Sequence, residues 1–225
     1  MPIRRLFITA FIFFIAARTT AQSKKEEVYI RTNLLSLIEP LAGGPTLGVE
    51  YFFADNVSLG SDVGIILYNM GKTQNDNLGN PHGYKIKPEI RYYMYKKNSK
   101  KKLRMFLSLE GLFLNTSTTN YNSTPILDNT GNVVYNYSGG YDEVKKVKGI
   151  VTKCGLQIPR FMFEKMIFEV YAGIGVRIKR YSYKNVPAGA SVTNNRAFRR
   201  EFFDINVNGT YPSLSAGFKL VYKIK

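Results

Sequence analysis

Carboxylates and cations that alternate with apolar residues are the side chains of this chain best suited to do chemistry. They share one phase of the sequence pattern: Arg31, Glu50, Asp62, Lys85, Lys87, Glu89, Arg91, Arg104, Glu110, Lys153, Glu169, Arg177 and Lys179. Paired carboxylates can serve as catalytic acid and base, and a line of charges can form a narrow path for ions. No motif sets the separation of two carboxylates or outlines a substrate cleft, so we predict no catalytic residues.

Ion pairing is the simplest role for these charges, because an unpaired buried charge is costly. We predict one buried ion-pair network made of Arg31, Glu50, Asp62, Glu89, Arg91, Arg104, Glu110, Glu169 and Arg177.

The single histidine and the single cysteine offer little further chemistry. His82 could act as a base together with a serine and an acid such as Asp76, but it lies in an Asn/Gly-rich loop typical of solvated side chains. Cys154 falls on the apolar phase of its segment, away from His82, so the two do not make a metal site. We therefore predict no metal and no cofactor.

Eight segments with alternating apolar and polar residues must position these charges. They span 28–38, 45–53, 57–68, 83–95, 103–115, 147–159, 166–183 and 211–225. In the seventh, Val170, Ile174 and Val176 alternate with Glu169 and Arg177, the period-2 pattern of a half-buried strand. Pro88 lies inside the fourth segment and cannot donate a ladder hydrogen bond, so we expect a bulge there.

The connections are long on one side of the pattern and short on the other. Residues 39–44, 69–82, 116–146 and 184–210 form the first set, and 54–56, 96–102 and 160–165 the second. Among strand structures, only a closed barrel can cross a bilayer, where no water satisfies the backbone. An even strand number with long outer and short inner loops favours an all-β, eight-stranded, antiparallel up-and-down transmembrane barrel.

The N-terminus reads as a secretory signal peptide. Arg4 and Arg5 precede an apolar run of residues 6–17, and small residues suit cleavage between Ala21 and Gln22. We predict a signal peptide over 1–21 and one barrel domain over 22–225. The net charge of +16 would suggest nucleic acid in a cytoplasmic protein. Because export argues against nucleic acid, we expect outer-membrane lipids as the counter-charge.

The last strand resembles the C-terminal insertion signal of outer-membrane barrels through Ser215, Gly217, Leu220 and Tyr222. The segments RTNLL (31–35), TLGVEYFF (46–53) and KPEIRYYMY (87–95) resemble an uncharacterised family of small outer-membrane barrels within the OmpA/OmpX-like group. The resemblance covers the whole mature chain. It implies location in the outer membrane and insertion by the barrel-assembly machinery, and it says almost nothing about activity.

Several functions remain open at this level. We favour a monomeric, non-enzymatic barrel with a structural or adhesion-type role, since Tyr and Arg in the long loops suit binding of an unknown extracellular partner. The alternatives are a small channel, a lipid-modifying enzyme that uses His82, and a soluble periplasmic lipid-binding barrel. The last would carry its apolar face inside, and periodicity alone does not tell the two arrangements apart.

Overall fold

A computed structural model describes residues 27–37, 42–68, 79–94, 103–121, 124–128, 130, 132–137, 139–159, 163–186 and 208–224. Its strands are β1 (Glu27–Asn33), β2 (Thr46–Ala54), β3 (Val57–Ile66), β4 (His82–Tyr93), β5 (Arg104–Asn120), β6 (Thr124–Leu127), β7 (Val133–Tyr137), β8 (Tyr141–Pro159), β9 (Met166–Lys184) and β10 (Gly209–Lys223). The predicted signal peptide and its cleavage site, Ala21 and Gln22, lie outside the described residues.

Eight of these strands close in an antiparallel ring. The order is β1, β2, β3, β4, β5, β8, β9 and β10, and β10 pairs with β1 to complete the circle. This confirms the prediction of an all-β, eight-strand antiparallel sheet. The ring is uneven in height, because β8 and β9 each have 19 residues whereas β1 has 7.

The two faces of the ring follow the alternation of the sequence. Polar side chains point inward and are buried; Glu50 and Arg31 are 0% and 1% exposed. Apolar side chains of the opposite phase point outward, and Ile174 and Leu47 are 65% and 61% exposed. The ring is therefore inverted relative to a water-soluble protein, in which the apolar phase would fill the interior.

An aromatic cluster fills the interior at the short-turn end, where β4 leads into β5. Tyr29, Phe52, Tyr93 and Phe106 follow one another with ring centroids 5.1 to 5.8 Å apart. These rings are buried together with Ile167, Tyr171 and Val221. Gly155 faces Phe106 across the β5–β8 ladder, and a side chain there would collide with the ring.

The first strand is shorter than predicted. The sequence predicts a strand over residues 28–38, but β1 ends at Asn33 and Leu34–Leu37 form a 3-10 helix. The Asn33 side-chain oxygen accepts a hydrogen bond from the backbone N–H of Leu35 at 3.1 Å. Such a local bond satisfies the backbone outside the ladder and turns the chain.

The connection predicted over 116–146 is largely strand. β5 continues to Asn120 and β8 begins at Tyr141, and these two residues are the last pair of their ladder. Between them, β6 and β7 pair with each other as a separate two-stranded sheet. In this upper part of β5 and β8 most residues on both faces are polar, Tyr141 and Val144 excepted, so the alternating signal is lost although the ladder continues.

The bulge expected at Pro88 is absent from the described strand pairs. The β3–β4 register runs unbroken through Ser61 opposite Pro88. On the other side, the β4–β5 register is the same before and after Pro88, and only the pairings of Lys87 and Pro88 are missing. Gly111 lies against Pro88, leaving room for its ring.

No helix within the described residues is long and apolar enough to cross a membrane.

Candidate functional site

Arg91 is the centre of the buried charges inside the ring. Its Nη1 and Nη2 donate to the two carboxylate oxygens of Glu169 at 2.6 and 2.9 Å. Nη2 also reaches Glu89 at 2.8 Å, and Nη1 reaches Glu50 at 3.3 Å. The planar guanidinium lies 4.6 Å from the centroid of the Phe106 ring. Bidentate contacts of this kind are stronger and more directional than neutral hydrogen bonds.

Arg31 makes a second centre beside the first. Its guanidinium contacts Glu89 at 3.0 Å and Glu50 at 3.4 Å, and its Nε donates to Asp62. Lys219 lies on the other side of Asp62, with Nζ at 2.7 Å, and is 3.6 Å from Glu89. The two arginines thus share Glu50 and Glu89, which links the contacts into one network.

Lys153 and Glu110 extend this network toward the long-loop end. They form a salt bridge, and the Lys153 ammonium lies 4.5 Å from the centroid of the Tyr171 ring. We call the whole set the ionic cluster: Arg31, Glu50, Asp62, Glu89, Arg91, Glu110, Lys153, Glu169 and Lys219. Each of the eight ring strands contributes at least one member, so the cluster ties all the strands together.

Neutral side chains complete the hydrogen bonding of the carboxylates. Ser108 donates to Glu89 at 2.7 Å, and the Tyr93 hydroxyl donates to Glu50 at 2.6 Å. Gln157 donates to Glu169 at 3.0 Å. A buried charge network is tolerated when its members are satisfied in this way.

Seven of the nine residues predicted for the network come together in the ionic cluster, and two do not. Arg104 lies at the short-turn end beside the Tyr29 hydroxyl, and Arg177 lines a cavity on the long-loop side. The sequence analysis did not identify Lys219 as a member of the network. Its position between Phe218 and Leu220, on the inward phase of β10, was the signal that could have revealed it.

Three carboxylates of the ionic cluster meet the spacing of a cation site. Ligand oxygens of Asp62, Glu89 and Glu110 lie within 4.8 Å of one another. Arg31, Lys219 and Lys153 already neutralise them at salt-bridge distance. A metal ion would have to displace these ammonium and guanidinium groups, so the arrangement is suited to holding strands and not to binding a metal.

Above the ionic cluster, the long-loop half of the interior contains a cavity of about 360 Å³. We call it the upper cavity. Its floor includes Glu110 and Tyr171, and its walls include Asn33, Ser36 and Ser213. The Asn33 amide donates to the Tyr171 hydroxyl at 2.9 Å, which fixes the boundary between the cavity and the cluster.

The residues of the predicted insertion signal lie in different environments. Ser215 lines the upper cavity and Tyr222 is exposed on the outer face. Gly217 is buried opposite Tyr171, and a Cβ there would come within 2.5 Å of the tyrosine hydroxyl. Gly217 therefore has a packing role that does not depend on an insertion signal.

The candidate residues for other chemistry are dispersed. His82 is exposed at the start of β4 on the outward phase, where it pairs with Ser117 of β5, and Asp76 lies outside the described residues. Cys154 is exposed on the apolar outer face of β8.

A family model described as "Protein of unknown function (DUF3575)" matches residues 9–203. No curated protein matches the chain, and no solved structure matches it.

Proposed function

The chain belongs to the DUF3575 family, and we propose that it is an integral outer-membrane β-barrel protein that acts through its long-loop end in a structural or adhesion-type role. The observation that carries this proposal is the inverted ring, with charges buried inside and apolar side chains exposed outside. Contiguous exposed apolar surface larger than a few hundred Å² marks a membrane or protein contact. The exposed apolar side chains form a belt around the outside of the closed ring. Lipid tails can surround such a belt on all sides.

The height of the apolar belt supports a bilayer. On β9 the outward positions are apolar from Phe168 to Ile178, and Arg180 then ends the run. On β10 they are apolar from Leu214 to Tyr222. These stretches match the roughly 9–11 residues that a tilted strand needs to cross the hydrocarbon core.

The same observations weigh against the alternatives. A soluble lipid-binding barrel needs an apolar interior, whereas this interior holds the ionic cluster. A channel needs an open path, whereas the cluster and the aromatic residues fill the short-turn half of the ring. A lipid-modifying enzyme needs an acid as well as a serine beside His82; Ser117 pairs with His82 across the β4–β5 ladder, but Asp76, the acid considered with it, lies outside the described residues.

The β6–β7 hairpin supports a surface-interaction role. Val133, Val134 and Tyr135 are all more than half exposed, and β6 and β7 pair only with each other among the described residues. In the turn between β6 and β7, Thr130 and Asn132 donate hydrogen bonds to the Asp128 carboxylate. These bonds lower the pKa of Asp128 below its usual value. Exposed aromatic and apolar residues on an ordered hairpin suit contact with an extracellular partner.

A pair of arginine substitutions on β9 tests membrane placement. Ile174→Arg puts a charge in the middle of the belt, and Ser182→Arg puts the same charge above it on the same outward phase. At mid-bilayer depth we expect Ile174→Arg to cost about 2–4 kcal/mol. The readout is the temperature at which the membrane-fraction protein shifts on an SDS gel, which should fall for Ile174→Arg and stay unchanged for Ser182→Arg. If the wild-type protein were soluble without a shift, or if Ile174→Arg improved its solubility, the proposal would be wrong.

Cysteine labelling tests the orientation. In a Cys154→Ser background, Val134→Cys lies on the hairpin and Phe163→Cys lies in a short turn, both at exposed positions. A membrane-impermeant maleimide added to intact cells should label Val134→Cys, and should label Phe163→Cys only after lysis. The reverse pattern would place the long-loop end in the periplasm and remove the surface role.

A further inference from the structure

The upper cavity differs from the rest of the interior in its charge. Four cationic residues line it, namely Lys85, Lys87, Lys145 and Arg177. Glu110 is the one acidic residue among the described lining, so the lining carries more positive than negative groups. Glu143, on the inward phase of β8 above Lys145, lies outside the lining, and counting it leaves the balance positive.

The cavity also has the size and the polar groups of a ligand site. A volume of about 360 Å³ falls at the lower end of the range for small-molecule pockets. Asn33, Ser36 and Ser213 bring an amide and hydroxyl groups to the same walls as the cations. Cations with neighbouring neutral donors are the groups that recognise phosphate and carboxylate oxygens.

The cavity ends at its floor. Tyr171 is 5% exposed, its ring lies against the ammonium groups of Lys153 and Lys219, and the ionic cluster fills the interior below. A solute that enters from the long-loop end therefore meets a closed base. This geometry favours retention of a ligand over passage through the ring.

We propose that the upper cavity is a binding site for a small, multiply charged anion bearing phosphate or carboxylate groups, with Lys145 and Arg177 as its principal cationic contacts. Both side chains are half-buried on the inward phase of β8 and β9, so they combine access to solvent with reduced screening. The inference goes beyond the surface role proposed above and does not depend on where the ring resides.

Two double variants on the same strands test this site. Lys145→Gln/Arg177→Gln removes two charges from the inward phase. Lys146→Gln/Arg180→Gln removes two charges from exposed outward positions that pair with each other across the β8–β9 ladder. The full chain, purified in a neutral detergent, is titrated with inorganic pyrophosphate and with citrate in a calorimeter at low salt. The circular dichroism spectrum checks that each variant keeps its strands.

We expect the wild-type protein and the outward-facing variant, Lys146→Gln/Arg180→Gln, to bind at least one probe with affinities that agree within about twofold. The inward-facing variant, Lys145→Gln/Arg177→Gln, should bind the same probe at least about tenfold more weakly. Equal weakening by both variants would mean attraction by overall charge and would overturn the site. Absence of saturable binding of both probes to the wild-type protein would overturn it as well. If the inward double variant does not fold, Lys87→Gln replaces it, with the same expected direction.

Discussion

The ionic cluster and the upper cavity share one interior and one phase of the sequence, yet they balance their charges differently. In the cluster, Arg31, Arg91, Lys153 and Lys219 all lie within salt-bridge distance of carboxylates. In the cavity, the described lining has four cations and one carboxylate. Alternation therefore decides which face a charge occupies, whereas the neighbouring strands decide the local balance of charge.

The cluster is suited to specifying how the ring closes. A buried salt bridge offers little net stability, because desolvation offsets the attraction. Removing one partner is nevertheless costly, so strand registers that separate the partners are disfavoured. Since every ring strand contributes a member, a shift of one residue in any strand would move its charge to the outer face.

The largest expected effect on stability comes from the loss of the Arg91 side chain. Arg91→Ala leaves Glu169 without its bidentate partner and removes one cation from Glu50 and Glu89. We expect the free energy of unfolding to fall by about 3–5 kcal/mol, as for other broken buried ion pairs. Urea unfolding of the full chain in neutral detergent measures it.

Arg180→Ala is the control for that substitution. Arg180 is exposed on the outward phase of β9, and its loss should change stability by less than about 0.5 kcal/mol. If Arg91→Ala cost as little as Arg180→Ala, the ionic cluster would not hold the ring together, and the contrast with the upper cavity would disappear.

The sequence predicted the ring well because its main signal is local. Along β9, apolar and polar residues alternate through the whole apolar belt, so both the strand and the direction of its side chains could be read directly. The alternating pattern failed where another local interaction competed with it. At residues 34–37 three leucines continued the apolar pattern, but the Asn33 side chain turned the chain.

The contacts between side chains inside the ring were less predictable than the strands that form it. Phase placed Glu50, Glu89 and Arg91 inside, but their pairing depends on how the strands stagger around the ring. That stagger brings Arg31 of β1 to Glu89 of β4, two residues whose strands are not neighbours. The upper cavity follows from the same stagger and had no sequence signal of its own.

An intermediate effect is expected at Gly155, beneath the ionic cluster. In Gly155→Ala the new methyl group meets the Phe106 ring and lies 2.8 Å from the carbonyl oxygen of Val170. Overpacking of this kind costs about 1–3 kcal/mol. Gly111→Ala is the matched control, since its nearest contact is Pro88 Cγ at 3.2 Å. Urea unfolding should rank the two in that order, and the opposite order would mean that the aromatic cluster is loosely packed.

The smallest effect on stability is expected from substitutions in the upper cavity. Lys145 and Arg177 are half-buried, so their electrostatic contacts stay partly hydrated, and such contacts are worth about 0.2–1 kcal/mol each. The double variant Lys145→Gln/Arg177→Gln should therefore lower the free energy of unfolding in urea by at most about 2 kcal/mol. If the same variant loses anion affinity, the two halves of the interior have separate tasks, since one holds the ring and the other binds. A loss of stability as large as that of Arg91→Ala would instead make the cavity cations part of the same structural network.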